Sequence, residues 1–357
     1  MTVNLKGKAR EAREREMAQE RDRVMKRIRE SEVHLDAIRG CLFGGAAGDA
    51  LGYPVEFMRA ERILETYGPG GITAYRLDPG SGKALISDDT QMTLFTANGL
   101  LLGDTRGNLR GVQGPPSSYV ALAYMDWLLT QEADCEEAKR IDRNTRKGGY
   151  SWLNDVPRLY SRRAPGNTCM SALISMKDGL PGSVEYPLND SKGCGGVMRV
   201  APVGLNYPND MEWMDREAAE VAAITHGHPL GYMPAAALAH IVSRIVFNRE
   251  RFASLEEIVL EARDTVAKVF AGGRFVDEFV ELLDQAVALS KNGDEDRRNM
   301  RRLGYGWVGD EALAIAIYCS LRYQNDFSAA IIAAVNHSGD SDSTGAITGN
   351  IVGALVG

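Results

Sequence analysis

Apolar residues recur at steps of three, four or seven positions along most of the chain, which is the spacing of one helical face. Patterns in which apolar and polar residues alternate, as in strands, are almost absent. The predicted helices cover residues 36–51, 89–102, 117–131, 168–177, 215–225, 233–248, 255–271, 275–291, 310–323 and 327–336. The pattern therefore predicts an all-α fold.

Long stretches rich in glycine and proline separate these helices. They lie at residues 68–87, 103–116, 148–167 and 179–196. Because they are longer than ordinary connections between helices, they favour loops that carry function. The sequence contains no low-complexity linker and no repeat of fixed period. We therefore expect one helical domain over residues 36–357, preceded by an N-terminal extension over residues 1–35.

The extension has a composition of its own. Residues 1–33 are rich in Arg, Glu, Lys and Ala and contain no proline, which predicts one helix. Its apolar stripe consists of Met17, Val24, Ile28, Leu35 and Ile38. Because this stripe is thin before Val24, the start of the helix has little to pack against a core. Two interpretations remain open: a solvated charged helix, or an arm that becomes ordered when it binds a partner.

The net charge of −7 is distributed unevenly along the chain. Residues 1–39 hold 11 Lys and Arg against 8 Asp and Glu, which leaves 30 against 40 in the rest of the chain. A body this acidic repels phosphates rather than releasing their counterions. We therefore expect no nucleic-acid partner.

The composition, with 44% hydrophobic and 25% charged residues, is that of an ordinary globular protein. No uninterrupted apolar run approaches the roughly 20 residues of a membrane-spanning helix, and no apolar stretch follows the basic N-terminus as in a secretory signal. The five cysteines are scattered and form no C-x-x-C pair, which argues against a zinc site or a disulfide framework. We expect a cytoplasmic protein without a membrane partner.

Two adjacent carboxylates flanked by hydroxyls form the block Ser87-Asp88-Asp89-Thr90, between a glycine-rich loop and an apolar helical run. Oxygen ligands of this kind suit Mg²⁺, Mn²⁺ or Ca²⁺. A Ser or Asp before a helix is also typical of an N-cap, where acidic residues lie favourably on the helix dipole. By itself the block leaves a cap and a metal site open.

A second cluster of the same chemistry lies near the C-terminus. In residues 336–344, Asp340 and Asp342 are followed by hydroxyls, and this loop enters a predicted helix whose small residues at 345–349 permit close backbone packing. The chain has Ile351 where the twelve-residue calcium loop requires a glutamate, which argues against that motif. Two clusters of oxygen ligands, about 250 residues apart, indicate a two-metal site that folding would assemble.

Six blocks in one order along the chain resemble the motifs of the ADP-ribosylglycohydrolase family, which includes the dinitrogenase reductase-activating glycohydrolases and the ADP-ribosylarginine hydrolases. The blocks are GCLFGGAAGDALGYPVEF at 40–57, SDDT at 87–90, SKGCGGVMRVAP at 191–202, THGHP at 225–229, GWVGDEAL at 306–313 and the Asp-x-Asp loop at 336–344. The resemblance covers roughly residues 38–357. It implies an all-helical fold with two Mg²⁺ or Mn²⁺ ions in a cleft.

The resemblance also assigns roles, motif by motif. The metal ligands would be Ser87, Asp88, Asp89, Asp340, Asp342 and Ser343. The substrate-binding residues would be Ser191, Lys192, Gly193, Cys194, Gly195 and His226. Glu56 and Asp89 are both candidates for the catalytic carboxylate that takes a proton from the attacking water, and the sequence does not separate them.

Three positions depart from the family pattern. Ser87 and Ser343 stand where many members have threonine, and both keep the hydroxyl that would bind metal. Cys194 replaces the usual asparagine of a Gly-Asn-Gly turn, which is expected to change contacts to the distal ribose or the phosphates.

The motifs therefore predict a metal-dependent hydrolase that removes ADP-ribose from a modified protein side chain, with arginine as the expected linkage. The rival interpretations are a catalytically silent module that binds ADP-ribosylated protein or a toxin, and a purely structural protein on the same scaffold. The intact aspartates argue against both. The basic residues 1–35 further suggest an immunity protein whose arm blocks the cleft of an ADP-ribosyltransferase toxin while the metal site reverses the modification.

Overall fold

Helices form nearly all the regular structure in the computed structural model, which describes residues 31–112, 114–137, 150–177, 179–207 and 210–357. We number them α1 (31–52), α2 (Ala60–Tyr67), α3 (Asp88–Arg110), α4 (Pro116–Glu132), α5 (Asn167–Met176), α6 (Ala201–Asn206), α7 (Met211–Ala223), α8 (Pro229–Asn248), α9 (Leu255–Val269), α10 (Val276–Ser290), α11 (Asp296–Leu303), α12 (Gly309–Arg322), α13 (Phe327–Val335) and α14 (Ser341–Val356). Within those ranges no strand is present, only two isolated bridges. The predicted all-α fold is confirmed.

Each helix predicted between residues 36 and 336 is found, and the differences lie at ends and in short segments. Helix α3 continues to Arg110, so residues 103–110 are helical where a loop was predicted, and Gly111 ends the helix in the left-handed conformation. Helices α2, α6 and α11 were not predicted. They span only six to eight residues, too few for an apolar period to show in the sequence.

Helix α8 is the centre of the core. It contacts α6, α7, α9, α12 and α14, and nearly all its residues are buried. Within the described residues it is the one helix long and apolar enough to cross a membrane by length and composition, over Pro229–Arg251, and 83% of that apolar window is buried inside the protein. Its apolar character therefore serves the packing of the surrounding helices.

Helices α1 and α14 approach each other along a row of glycines. A Cβ atom added at Gly48 would lie 1.9 Å from the Gly345 carbonyl oxygen, and one at Gly44 would lie 2.3 Å from the Gly349 oxygen. Residue numbers rise along one helix as they fall along the other, so the two helices are antiparallel. The close backbone packing expected from residues 345–349 is confirmed, and it places the start of α14 beside the end of α1.

The N-terminal extension lies almost wholly outside the described residues, which begin at 31. The predicted helix over residues 1–33 and most of its apolar stripe therefore remain predictions. Residues 31–35 belong to the first turns of α1 and are mostly exposed.

A buried ionic network joins α7, α8 and α9 away from the glycine contact. His240 Nδ1 lies 2.9 Å from an Asp215 carboxylate oxygen, and its Nε2 contacts Glu261, which also accepts from Arg244 at 2.7 Å. Burial alone would lower the pKa of His240, but the hydrogen bonds to Asp215 and Glu261 outweigh it and raise that pKa. Burial likewise opposes ionisation of Glu261, yet its partners lower its pKa to about 2.

Replacing His240 by glutamine is expected to lower the free energy of unfolding by about 3–5 kcal/mol near neutral pH, because the buried Asp215 loses its partner. Since the folded-state pKa of His240 is raised, its stabilisation is complete below about pH 6.5 and is lost as the pH rises through that raised pKa. Urea unfolding of both proteins across this range measures the difference, with His34→Gln as the control. If the difference in the free energy of unfolding between wild type and variant grew as the pH rose, the prediction would be wrong.

Candidate active site

The N-terminus of α3 presents the first aspartate pair. The Ser87 hydroxyl accepts a hydrogen bond from the Asp89 amide at 3.2 Å, so it is the N-cap of this helix. Asp49 at the end of α1 accepts from the Ser87 amide at 2.9 Å and from the amide and hydroxyl of Thr90. Asp88 accepts from the Gly166 amide at 3.2 Å. The whole block is therefore held from two sides.

The N-terminus of α14 presents the second cluster. Asp340 caps this helix by accepting from the Ser343 amide at 3.2 Å, and Asp342 lies in its first turn. Glu56 follows the short 3₁₀ turn Tyr53–Val55 after α1. One carboxylate oxygen from each of Glu56, Asp340 and Asp342 lies within 4.8 Å of the other two. Three buried acids thus converge from two parts of the chain.

Both clusters line one cleft of about 320 Å³. Its acidic wall is formed by Glu56, Asp88, Asp89, Asp340 and Asp342, together with Ser343. The other walls come from residues 164–169, from the glycine turn with Met198 and His226, and from Phe57 and Trp307. Folding therefore assembles the two ligand clusters that lie far apart in sequence.

The carboxyl groups of the acidic wall are buried close together, which opposes the ionisation of each one when no cation is bound. Burial and the neighbouring Asp340 and Asp88 raise the pKa of Glu56 to about 9. Burial, with Asp49 and Asp340, raises the pKa of Asp88 to about 8, and Asp342 is raised well above the ordinary value by burial and by Asp89. A bound cation would reverse this cost, because it favours the ionised forms.

The donor set suits a hard divalent cation. Glu56 Oε2 and Asp89 Oδ2 are buried and have no hydrogen-bond partner among the described residues. Buried carboxylate oxygens are normally paired or coordinate a metal. Oxygen-only ligands at this density are what Mg²⁺, Mn²⁺ and Ca²⁺ bind. The acidic wall therefore fits a metal centre.

The glycine turn lies against the loop before α12. The Cys194 amide donates to the Trp307 carbonyl at 3.2 Å, and the Gly309 amide donates to the Lys192 carbonyl at 2.8 Å. The Cys194 thiol donates to Asp340 Oδ2 at 2.8 Å. The cysteine that stands in place of asparagine thus contacts the acidic wall, and its expected effect on ribose or phosphate contacts stays a prediction.

A chain of hydrogen bonds orients His226 toward the cleft. Arg199 Nη2 donates to the Thr225 hydroxyl at 2.6 Å, and that hydroxyl lies 2.8 Å from His226 Nδ1. Arg199 can only donate, so the Thr225 hydroxyl accepts one hydrogen bond, and its contact with Nδ1 orients the ring so that Nε2 faces the glycine turn. Burial and the charge of Arg199 lower the pKa of His226 to about 3, so the ring is neutral.

The ring of His226 also explains why the turn has glycine at positions 193 and 195. A Cβ atom at Gly195 would lie 2.7 Å from His226 Cε1, and one at Gly193 would lie 3.1 Å from Nε2. Nε2 of His226 thus lies directly against the backbone of the glycine turn. His226 lines the cleft, whereas His228 caps α8 by accepting from the Leu230 amide at 3.0 Å. The two histidines of this motif therefore have different roles.

Comparison with known proteins decides the family. A sequence profile of the family described as ADP-ribosylglycohydrolase matches residues 30–357. The chain belongs to the ADP-ribosylglycohydrolase family. Family membership supports hydrolysis of ADP-ribosyl bonds, in agreement with the acidic cleft.

Two curated relatives and one solved structure extend the likeness across the chain. The ADP-ribosyl-[dinitrogen reductase] glycohydrolase of Rhodospirillum rubrum is 27% identical, over 91% of this chain and 87% of its own. The ADP-ribosylarginine hydrolase Tri1 of Serratia proteamaculans is 26% identical, over 92% of this chain and 74% of its own. A solved structure, an ADP-ribosylglycohydrolase-related protein complex, has the same fold with a TM-score of 0.58 and 21% identity, covering 91% of this chain and 88% of its own.

Some residues predicted for this ADP-ribosylglycohydrolase site lie outside the cleft lining. Ser87 is buried, with its hydroxyl used as a cap, and Lys192 is exposed. The Ser191 hydroxyl contacts Thr168 at 3.2 Å and the Gly193 amide at 3.3 Å. The backbone of this segment shapes the site, while the side chains of Ser191 and Lys192 do not line the cleft.

Sequence reasoning also missed residues that position the glycohydrolase site. Asp49 holds the Ser-Asp-Asp-Thr block, and Arg199 with Thr225 orients the ring of His226. All three stand inside the resembling motifs, so the signal was present. Phe57, 75% exposed, stacks on Trp307 at the cleft mouth, with ring centroids 5.7 Å apart.

Proposed function

We propose that the chain removes ADP-ribose from arginine side chains of proteins, using two divalent cations, Mg²⁺ or Mn²⁺, held by the acidic wall. The observation that carries the proposal is the convergence of Glu56, Asp340 and Asp342 within 4.8 Å in a cleft that also contains Asp88 and Asp89. A module that only bound ADP-ribose would gain nothing from so many buried like charges, which cost stability without a cation.

The proposed reaction is hydrolysis of the N-glycosidic bond. Water attacks the anomeric carbon of the ribose, the carbon–nitrogen bond breaks, and its electron pair returns to the guanidine nitrogen. The bound cations would supply positive charge that holds the ribose hydroxyls and lowers the pKa of the attacking water. Glu56 and Asp89, each with one buried oxygen that has no hydrogen-bond partner among the described residues, are the two candidates to accept the proton.

The remaining walls suit the rest of ADP-ribose. The Gly193 and Cys194 amides already donate to Ser191 and Trp307, but Gly193 and Gly195 have no side chains that would keep a phosphate away from the turn. His226 adds a neutral imidazole directly against this turn, and its Nε2 would donate to a phosphate in the tautomer that carries the proton there. A neutral donor binds an anion without the desolvation cost of a buried charge. We therefore place the pyrophosphate along residues 193–195 and the reacting ribose at the acidic wall.

Release of free ADP-ribose tests the activity. The protein would be incubated with arginine-ADP-ribosylated and serine-ADP-ribosylated proteins, with Mg²⁺, with Mn²⁺ and with EDTA. We expect release from the arginine-linked substrate with either metal and none in chelator. Release from the serine-linked substrate alone would reassign the linkage. Tight binding without any release would support the catalytically silent module instead.

We also infer an immunity role in the cytoplasm from residues 1–35, most of which lie outside the described residues. The Arg-rich sequence fits a cleft shaped for NAD phosphates, and Tri1 is an ADP-ribosylarginine hydrolase by name. Deletion of residues 1–33 combined with Asp340→Ala separates blocking of an ADP-ribosyltransferase from reversal of its product. Unchanged binding to an arginine-specific transferase after the deletion would overturn the blocking role.

A further inference from the structure

A second cavity adjoins the cleft on the far side of its mouth. This outer groove has a volume of about 590 Å³ and shares Glu56, Phe57 and Trp307 with the cleft. Beyond these shared residues it is lined by Arg59, Arg301 and Tyr305, among others. The two cavities therefore meet at one line of residues, and that line includes a carboxylate of the acidic wall.

The shared carboxylate marks where the two halves of a substrate would separate. Glu56 lines both cavities, and its buried Oε2 has no hydrogen-bond partner in the described part of the chain. A hydrolase that cleaves a bond beside this carboxylate needs space on both sides of the bond. The ADP-ribosyl half fits the cleft with its glycine turn and His226. The outer groove is then left for the group from which ADP-ribose is removed.

The boundary between the cleft and the outer groove is formed by aromatic side chains that are exposed to solvent. Phe57 and Trp307 stack nearly parallel, with an interplanar angle of 19°, and are 75% and 41% exposed. Tyr305, 47% exposed, continues the aromatic surface into the groove. Exposed large apolar side chains grouped at a cavity are typical of interaction surfaces, and aromatic residues supply most of the affinity there. A free amino acid would leave most of this surface unused.

The groove carries arginines on a body that is otherwise acidic. Arg301 has 69% of its side chain exposed, and its carboxylate neighbour Glu61 lies 4.0 Å away, at the limit of an ion pair. Arg59 is exposed on the same groove. Arg297, in contrast, is already paired with Glu295 at its own edge of α11. Glu61 also lines the groove, so a carboxylate of a bound molecule would compete with it for Arg301, and the length and exposure of the existing pair favour that exchange.

We infer that the outer groove binds the polypeptide that carries the ADP-ribosylated side chain. An acidic residue next to the modified residue would bind Arg301, and the peptide chain would pack against Tyr305. The inference rests on the proposed function and extends it to the choice of protein substrate. Since the groove begins at Glu56, a modified side chain could reach the acidic wall while its own backbone stays in the groove. Recognition would then come from residues that play no part in the chemistry.

Three substrates test the inference: free ADP-ribosylarginine, and two arginine-ADP-ribosylated peptides that differ only in having Asp or Lys on both sides of the arginine. We expect the wild type to prefer the acidic peptide over the basic one by about fivefold or more in kcat/KM. Arg301→Glu should abolish or invert this preference, and Tyr305→Ala should lower kcat/KM for both peptides relative to ADP-ribosylarginine. Arg62→Glu is the matched control, because its side chain is also 69% exposed, and Tyr75→Ala, 44% exposed, matches Tyr305.

The outcomes separate this inference from the proposed function. No turnover of any of the three substrates by the wild type would count against the activity itself. Turnover of ADP-ribosylarginine with equal rates on both peptides would overturn the groove assignment alone. A dimer in solution that Arg301→Glu dissociates would show that a second copy covers the groove, and would also overturn it.

Discussion

Replacement of Asp342 by asparagine is expected to lower the rate of ADP-ribose release by about 10³-fold or more while the protein stays folded. Asp342 contributes one of the three carboxylates that converge within 4.8 Å, and the amide that replaces it carries no charge to hold a cation. The side chain is buried in the first turn of α14, and asparagine has nearly the same shape. The loss should therefore be chemical rather than structural.

The same substitution should raise the stability of the metal-free protein. Burial, followed by the charges of Asp89 and Asp340, raises the pKa of Asp342 well above its ordinary value, so its ionised form costs free energy at neutral pH. Thermal unfolding in EDTA is expected to give a higher Tm for Asp342→Asn than for wild type. Addition of Mg²⁺ should raise the Tm of wild type more than that of the variant, because the ion binds only the folded state.

Asp126→Asn provides the control, because Asp126 is buried to the same degree but lies on α4, where it accepts from the Ser151 amide. It should leave the response to Mg²⁺ intact. Wild-type turnover by Asp342→Asn, or an equal gain in Tm from Mg²⁺ in both proteins, would show that the acidic wall is not the metal centre.

Gly48→Ala is expected to destabilise the fold by about 1–3 kcal/mol and to lower activity by about 10²-fold. The added Cβ would lie 1.9 Å from the Gly345 carbonyl oxygen, so α1 and α14 must separate. In an isolated helix, alanine is more favourable than glycine by about 1 kcal/mol, so a net loss of stability must come from the clash. Activity falls too, because Asp49, the next residue, holds the Ser87 and Thr90 amides in place.

Urea unfolding and single-substrate kinetics measure these two effects. Gly293→Ala makes the same change where a Cβ atom meets nothing within 4 Å, and it should alter neither quantity noticeably. If Gly48→Ala were as stable and active as wild type, the close contact between α1 and α14 would not be what aligns the two aspartate clusters.

The helical character of this protein could be predicted because burial of an apolar face leaves a period in the sequence. Helices such as α9 and α10 have that period and were predicted within two residues of their ends. The short α2 and α11 were missed, since eight residues with several charges offer too few apolar positions to recognise a helical face in the sequence. Segment 103–110 was missed because its glycines resemble a loop, although Gly103 lies against the Tyr119 ring at a close helix contact.

The sequence predicted the residue types of the site: oxygen ligands from the two aspartate clusters, and a glycine turn and a histidine from the resemblance to the family motifs. Only the tertiary structure decided which of these groups meet. It brought Glu56 to Asp340 and Asp342, turned the Ser87 hydroxyl into a cap, and directed the Cys194 thiol to the acidic wall. The reason is that side-chain direction depends on how helices pack, through contacts such as the glycine row of α1 and α14, and those contacts join residues about 300 positions apart.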